Sequence, residues 1–171
     1  SIDEKYYTLR IKTFGIVESK IQELIYSKLD LKNISISFLP SFKGVQIILF
    51  SKSLKLLNSL GSEIECLLGD KVYTNENFSL EEIIFKLLAN KKLTFSIAES
   101  CSGGLTSDLI TNIPGSSKIF KGSIISYSNE SKISLLNVSK ESIKRFGAVS
   151  DQVAKEMAIG VRLSLIHISE P

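Results

Sequence analysis

The spacing of hydrophobic residues along the first 70 positions predicts a small α+β unit. Every second residue is apolar over about 6–12 and 34–39, which predicts two strands, and the largely apolar segment 45–50 predicts the strand that returns after the turn. Apolar residues recur every three or four positions elsewhere, which predicts a helix after Gly15 and a second helix over 54–68. The predicted order is β-α-β-β-α, with both helices packed on one face of the sheet.

The rest of the chain alternates helix and strand signals, which is typical of a layered α/β domain. A polar and aromatic segment over 70–78 separates the two parts. Ser79 and Glu82 form a capping-box pattern that predicts a helix start, and Ser150 is the predicted N-cap of the last helix. Between them the pattern predicts strands at 93–98 and 119–127 and helices at 105–111, 130–136 and 141–146.

Composition narrows the function classes that need to be considered. Of 171 residues, 43% are hydrophobic and 23% are charged, which argues against disorder. The net charge of +3 gives no strong electrostatic basis for nucleic-acid binding. No apolar run is long enough to span a membrane, and residues 1–5 lack the apolar core of a signal peptide. We therefore expect a cytoplasmic protein without membrane or nucleic-acid partners.

The small number of histidine and cysteine residues limits the chemistry that the chain can perform. Cys66 and Cys101 fit no metal-binding spacing, and His167 is the only histidine. Because His167 lies within the last five residues, a Ser-His-Asp triad could be built only around that end of the chain. Serine chemistry elsewhere needs a different base, and we expect neither a metal nor a cofactor.

A glycine-rich turn between a predicted strand and a predicted helix is the sharpest local feature. Its sequence is Ala98-Glu-Ser-Cys-Ser-Gly-Gly104, which would leave backbone N–H groups free to bind a phosphate or an oxyanion. Ser100 is a candidate nucleophile or an N-cap, and Glu99 could bind ribose hydroxyls or pair with Lys132. Cys101 is a weaker nucleophile candidate because it has no histidine partner. Helix capping and close glycine packing alone would also explain the turn.

Two further segments introduce a lysine as a candidate base. Pro114-Gly-Ser-Ser117 predicts a turn, and Tyr127-Ser-Asn-Glu-Ser-Lys132 follows it. A lysine can act as a base where burial or a nearby cation lowers its pKa from about 10.4 towards neutrality. Lys132 is the candidate base, and Tyr127 could relay or orient a proton. The alternative interpretation is a Pro-Gly turn, a solvent-exposed lysine and a half-buried tyrosine.

Four segments in register resemble one protein family. They are the three segments that begin at Ala98, Pro114 and Tyr127, together with Gly147-Ala-Val-Ser150. In this order they are similar to the C-terminal domain of the CinA (competence/damage-inducible) proteins, also known as nicotinamide mononucleotide deamidase. The segment Phe14-Gly-Ile-Val-Glu-Ser19 resembles the KH-like connecting domain of the same proteins.

The resemblance implies a fold and a division into domains. It implies an α/β protein in which a small α+β, KH-like domain at 1–75 precedes an incomplete α/β/α layered deamidase domain at 79–162. Residues 163–171 do not match the family, and we expect them to be a non-native tail. The chain starts without Met and the family's deamidase domain continues beyond Arg162. We therefore expect a fragment of a longer protein with impaired activity, impaired stability or both.

For function, the resemblance implies amide hydrolysis without a metal. The family converts nicotinamide mononucleotide to nicotinate mononucleotide and ammonia, and it is understood to use a Ser/Lys dyad. Carried over to this sequence, Lys132 is the base, Ser117 or Ser100 is the nucleophile and Tyr127 assists. The residues implied in substrate binding are Glu99, Ser102, Gly103, Gly104, Ser116 and Asn129. Family members tend to self-associate, so we expect the full-length protein to be a homo-oligomer.

Two other functions are compatible with the sequence. The first is a non-catalytic nucleotide-binding module linked to competence or the DNA-damage response, as the family name suggests. The second is an RNA-binding KH-like protein. An RNA-binding KH module needs a GxxG loop, and none occurs before residue 80.

Overall fold

The computed structural model describes residues 6–165, and the chain divides into one compact unit that ends at Ile83 and another that begins at Ile84. The division falls within the helix Leu80–Asn90. The predicted capping box begins this helix: the Ser79 N–H donates to Glu82 Oε2 at 2.7 Å, and the Glu82 N–H donates to Ser79 Oγ at 3.2 Å. The predicted domain boundary, between 75 and 79, lies a few residues before the division.

The first unit is a four-stranded antiparallel sheet with two helices. Its elements are β1 (Tyr7–Thr13), α1 (Glu18–Lys28), β2 (Ser35–Ser41), β3 (Gly44–Ser51), α2 (Leu54–Leu68) and β4 (Val72–Thr74). The strands lie in the order β2-β3-β1-β4 with antiparallel neighbours. The predicted order β-α-β-β-α is confirmed. The prediction lacks β4, because three residues give too little alternation to identify a strand.

An apolar core holds the first unit together. Alternate residues of β1 and β3 point into it, and Ile11, Ile47 and Leu49 are fully buried there. Helix α1 adds Ile21 and Ile25, which are four residues apart and therefore share one face. The core residues from α2 are Leu57, Leu60, Ile64 and Leu68. Burial of these large aliphatic side chains is the main stabilising contribution that this unit offers.

The second unit is built around two parallel strands. From the helix at the division onwards, the elements are α3 (Leu80–Asn90), β5 (Phe95–Glu99), α4 (Leu105–Thr111), β6 (Phe120–Ile125), α5 (Asn129–Leu136), α6 (Lys140–Phe146) and α7 (Asp151–Leu165). Strands β5 and β6 pair in parallel, and α4 lies between them in the chain. This is the alternation of helix and strand that the sequence predicts.

Side-chain directions place helices on both faces of the β5–β6 pair. Ala98 and Ile124 pack against the apolar cluster that includes α7 residues. The next residues, Glu99 and Ile125, contact the start of α4. Because successive strand residues point to opposite faces, α7 and α4 lie on opposite sides of the sheet. The predicted α/β fold class is confirmed, and the sheet of this unit has two strands within the described part of the chain.

The last helix extends beyond the predicted domain end at Arg162. Helix α7 runs to Leu165, so the first residues of the predicted tail, 163–165, are helical. The remainder of that tail, including His167, lies outside the described residues. Among residues 6–165, no helix has the length and apolar character needed to cross a lipid bilayer.

Candidate active site

The glycine-rich turn after β5 places Ser100 at the carboxyl end of a strand. Strand β5 ends one residue before Ser100, and the chain turns into α4 through Gly103 (φ +61°) and Gly104 (φ +100°). Both glycines have the left-handed backbone conformation that other residues rarely adopt. A Cβ atom on Gly104 would also lie 2.9 Å from Ile125 Cδ1. Strain and close packing therefore both require glycine at this turn.

The amine of Lys132 is buried and contacts Ser100. Helix α5 carries Lys132 in its first turn, and the residue is 3% exposed. Its Nζ lies 3.0 Å from Ser100 Oγ. The same Nζ lies 2.8 Å from the carbonyl oxygen of Ser126 and 3.0 Å from that of Tyr127. Lys132 is therefore not the solvent-exposed lysine of the alternative interpretation.

The three oxygen contacts fit an amine that acts as a base. A neutral amine has two N–H donors and one lone pair, and a carbonyl oxygen can only accept. When the two carbonyls accept both N–H groups, the lone pair is left to accept a proton from the Ser100 hydroxyl. An ammonium fits the same place by donating to all three oxygens. The arrangement of the three oxygens is therefore compatible with either form of the amine.

Glu99 is a buried carboxylate whose oxygens are occupied by protein donors. It is 3% exposed and accepts hydrogen bonds from Ser102 Oγ at 2.8 Å, the Thr106 N–H at 3.1 Å, and the N–H (3.0 Å) and hydroxyl of Ser107. Burial alone would raise the pKa of Glu99. The hydrogen bonds from the Ser107 and Ser102 side chains and from the two backbone N–H groups outweigh burial and lower the pKa to about 2. Glu99 is therefore ionised at neutral pH.

This carboxylate fills the start of α4, where the sequence pattern leaves room for a phosphate or an oxyanion. The N–H groups of Thr106 and Ser107 donate to Glu99. Within residues 6–165, the N–H groups of Cys101 and Ser102 have no protein acceptor. These two groups directly follow Ser100 in the chain, so they remain available as hydrogen-bond donors beside its hydroxyl.

The two candidate serines lie in different places. Ser100 contacts Lys132, whereas Ser116 and Ser117 begin a 3₁₀ turn before β6. Ser117 is exposed, and its hydroxyl is not among the Lys132 partners in the described part of the chain. The structure thus brings Ser100 together with the predicted base and leaves Ser116 and Ser117 apart from it.

The segment between β6 and α5 contacts Lys132 through backbone atoms and not through its side chains. The Tyr127 side chain is 78% exposed, and its carbonyl oxygen is what contacts Lys132. Asn129 is the exposed first residue of α5. Sequence reasoning missed Ser126, which is fully buried, accepts from Lys132 through its carbonyl and donates its N–H to the Glu99 carbonyl at 2.8 Å. Ser126 lies inside the strand predicted at 119–127, so the sequence pattern gave no signal that set it apart.

A cavity of about 670 Å³ opens beside Ser100 and Lys132. Strand β5 and the glycine-rich turn line one part of it, and residues 148–150 with α7 line another. The lining residues from α7 are Asp151, Ala154, Met157, Ala158 and Val161. A cavity of this size can hold a small organic molecule. The sequence links α7 to the site only through the family resemblance of the segment that precedes it.

The fold and the site together define a class of protein. It is an α/β domain with helices on both faces of a parallel strand pair and a Ser–Lys contact at the carboxyl end of those strands. No three His, Cys, Asp or Glu side chains of the described residues lie close enough together to bind a metal ion. Residues 77–166 match the model of the CinA C-terminal domain. The chain belongs to the CinA family, which confirms the resemblance drawn from the four sequence segments.

The curated relatives are longer than this chain. A CinA-like protein of a Sulfurihydrogenibium species is 41% identical over 160 residues, which cover 94% of this chain and 39% of that protein. A CinA-like protein of Fervidobacterium nodosum is 38% identical over 168 residues, which cover 94% and 40%. The solved structure of the competence/damage inducible protein CihA from Agrobacterium tumefaciens is 38% identical, with a TM-score of 0.48 over 49% of this chain and 51% of that one. This chain therefore spans about two fifths of the length of the curated relatives it matches.

Proposed function

We propose that the second unit is the catalytic part of an amidohydrolase that converts nicotinamide mononucleotide to nicotinate mononucleotide and ammonia. The observation that carries this proposal is the 3.0 Å contact between Lys132 Nζ and Ser100 Oγ. Two carbonyl oxygens occupy the other hydrogen-bonding positions of the amine. A buried lysine held in this way serves as a base for a serine nucleophile. The substrate is the one that membership of the CinA family suggests.

In the proposed reaction, Lys132 takes the proton of Ser100 as its Oγ attacks the carboxamide carbon. The N–H groups of Cys101 and Ser102 stabilise the oxyanion of the tetrahedral intermediate. Lys132 then gives its proton to the amide nitrogen, which leaves as ammonia, and a nicotinate ester remains on Ser100. Lys132 next deprotonates a water molecule, which hydrolyses the ester, and Ser100 regains its proton from Lys132.

The other predicted site residues have smaller parts in this proposal. Ser117 is the second candidate nucleophile, and it would need to approach Lys132 to act. Tyr127 contributes its carbonyl oxygen to the lysine, and its exposed side chain can contact substrate at the cavity edge. Glu99 holds the turn in place through its bonds to Ser102, and this role fits its fully occupied carboxylate better than direct contact with ribose.

A non-catalytic nucleotide-binding module is the second candidate function. Relatives from Clostridium perfringens are named for competence and damage inducibility, and these names state no reaction. A cavity of about 670 Å³ can bind a nucleotide whether or not chemistry follows. In such a module Lys132 would have a structural role, and nucleotide binding would survive its removal without any release of ammonia.

Release of ammonia from nicotinamide mononucleotide, measured without added metal, tests the proposal. We expect Lys132→Ala to lower kcat by at least about a thousandfold, because it removes the general base. Lys118→Ala, which removes an exposed lysine of the same unit, is the matched control and should keep kcat within about twofold. Calorimetric binding of the same nucleotide to each variant separates the two candidate functions. Binding without ammonia in the parent chain would favour the module.

The length of the chain requires one further control. The same assay is run on a hybrid in which the remaining residues of the Sulfurihydrogenibium relative are joined to this chain at the ends of the aligned region. Ammonia release in the hybrid alone would assign the activity to the longer protein. The proposal would be contradicted if circular dichroism shows that both chains are folded and neither of them releases ammonia.

A further inference from the structure

Three charged side chains line the cavity beside Ser100, and two of them are fully engaged within the protein. The Glu99 carboxylate accepts from Ser102, Thr106 and Ser107. The Lys132 amine contacts three oxygen atoms. The third charged residue is Asp151, the exposed first residue of α7.

The carboxylate of Asp151 has no protein partner. In the described part of the chain, neither a hydrogen bond nor an ion pair joins it to another side chain or N–H group. Helix capping does not use it either, because Ser150 Oγ accepts the Val153 N–H at 3.3 Å. Asp151 is therefore the one charge in the cavity lining, among residues 6–165, that is left to meet a ligand.

The surroundings of Asp151 fit a flat, positively charged ring. The neighbouring lining residues Ala148, Val149, Ala154 and Met157 are apolar and can contact the faces of a ring. A pyridine nitrogen bonded to a sugar carries a positive charge but no N–H group, so it is recognised by a nearby negative charge and not by a hydrogen bond. A carboxylate beside apolar side chains offers that recognition.

We propose that Asp151 is a specificity residue that selects substrates with a quaternary pyridinium ring, an inference that rests on the proposed function. The same negative charge repels a phosphate group. Asp151 therefore favours binding of a nucleotide with its ring, and not its phosphate, beside the start of α7. Within the proposed reaction, N-substituted nicotinamides are therefore preferred, and uncharged nicotinamide binds more weakly.

The test compares two probes that differ in charge. 1-Methylnicotinamide carries the positive ring nitrogen and nicotinamide does not, and both are titrated into the chain and observed by ligand-detected NMR. We expect the parent chain to bind the cation about fivefold more tightly, as a partly exposed charge pair allows. Asp151→Asn should remove this preference by weakening the cation about fivefold and leaving nicotinamide unchanged. Asp151→Glu should restore most of it.

A matched aspartate controls for the effect of an acidic residue on a helix. Asp108 is in the first turn of α4 and does not line the cavity, so Asp108→Asn should leave both affinities unchanged. For turnover of nicotinamide mononucleotide, Asp151→Asn should raise KM while kcat stays within about twofold. The role of Asp151 would be overturned if Asp151→Asn lost affinity equally for both probes or lost affinity for neither. Failure of the parent chain to bind the cation would also overturn it.

The outcomes also separate this inference from the proposed function. Selective cation binding that depends on Asp151, without ammonia release in the chain or the hybrid, would support the inference and reject the reaction. Ammonia release with equal binding of the two probes would support the reaction and reject the inference.

Discussion

The two units of the chain bury charged groups in different ways. Within residues 6–83, the first unit buries one carboxylate, Glu81, and pairs it with Lys43 of the β2–β3 hairpin. The second unit buries Lys132 against neutral oxygens and Glu99 against neutral donors, so neither charge has an ion-pair partner within residues 6–165. Buried charges without opposite charges are costly, and they cluster at functional sites. The second unit therefore shows a pattern that is typical of a functional site, and the first unit does not.

The apolar cores of the two units also differ, in size. Among residues 6–165, the main cluster of the first unit contains ten buried residues, whereas that of the second contains five. The second unit places a cavity, a buried amine and a buried carboxylate at the carboxyl end of its strands instead. Paired changes, one in each unit, therefore measure how far the two interiors differ and how a change in one affects the other.

The largest expected effect is truncation in the core of the first unit. Ile47 is fully buried in the centre of its sheet, so Ile47→Ala should lower the free energy of unfolding by about 4 kcal/mol. Hydrogen exchange with mass spectrometry should show lost protection in peptides before residue 80 and retained protection in β5, β6 and α7. Ile47→Val is the milder control, at about 1 kcal/mol. Equal loss of protection in both units would contradict the view that each has its own interior.

A second comparison uses two glycines inside helices. A Cβ on Gly160 of α7 would lie 2.1 Å from the Leu136 carbonyl oxygen, and one on Gly61 of α2 would lie 2.3 Å from Leu9 Cδ2. The carbonyl belongs to a fixed backbone, whereas the leucine methyl can rotate away. Gly160→Ala should therefore cost about 3 kcal/mol, and Gly61→Ala should stay within about 1 kcal/mol of the parent. Thermal unfolding of both variants measures this, and a larger loss for Gly61→Ala would disprove the packing account.

The third prediction concerns the pH dependence of Glu99. Its pKa is about 2 in the folded unit, against 4.5 as the ordinary value, so its ionised form stabilises the fold above about pH 4.5. That contribution is lost as the pH falls towards 2. Glu99→Gln should cost about 2 kcal/mol at pH 7 and much less at pH 3.

Urea unfolding of the parent and variant at both pH values measures this difference. The control is Glu81→Gln in the first unit, where Lys43 can turn to water, since its side chain is 32% exposed. We expect a cost below about 1 kcal/mol there. A Glu99→Gln cost that is the same at pH 7 and pH 3 would show that the carboxylate charge does not stabilise the turn.

The smallest expected effect compares two helix caps. Ser53 Oγ accepts the Leu56 N–H at the start of α2, and Ser128 Oγ accepts the Ser131 N–H at the start of α5. Each change to Ala should cost about 1 kcal/mol of stability, since each removes one cap. Because α5 carries Lys132, only Ser128→Ala should also lower ammonia release. Equal activity in the two variants would mean that the start of α5 does not position the lysine.

Much of the fold could be predicted because its signals are local. The alternation in β2, the apolar run in β3, the spacing in α2 and the Ser79–Glu82 box each depend on residues within a few positions of one another. These elements form as predicted. Strand β4 could not be predicted, because it exists only through pairing with β1. Its own three residues are too few to identify a strand, and its pairing partner β1 is distant in sequence.

The candidate site was predictable in its residue types and not in its contacts. The sequence left Ser100 and Ser117 as equal candidates, since spacing along a chain does not tell which hydroxyl meets an amine that lies on another helix. It also offered Glu99 as a ligand for ribose. The backbone donors that occupy this carboxylate come from α4, and Ser102 of the turn adds a hydroxyl. Asp151 carried no signal of its own, because an aspartate at a helix start is common for reasons of capping alone.

The most direct test of the central claim compares ammonia release by Ser100→Ala and Ser117→Ala under identical conditions. Both changes remove one hydroxyl, so they are matched in size and chemistry. With Ser100 as the nucleophile that Lys132 activates, Ser100→Ala should lose at least about a thousandfold in kcat, and Ser117→Ala should stay within about threefold of the parent. Loss of activity in Ser117→Ala with activity retained in Ser100→Ala would contradict the account.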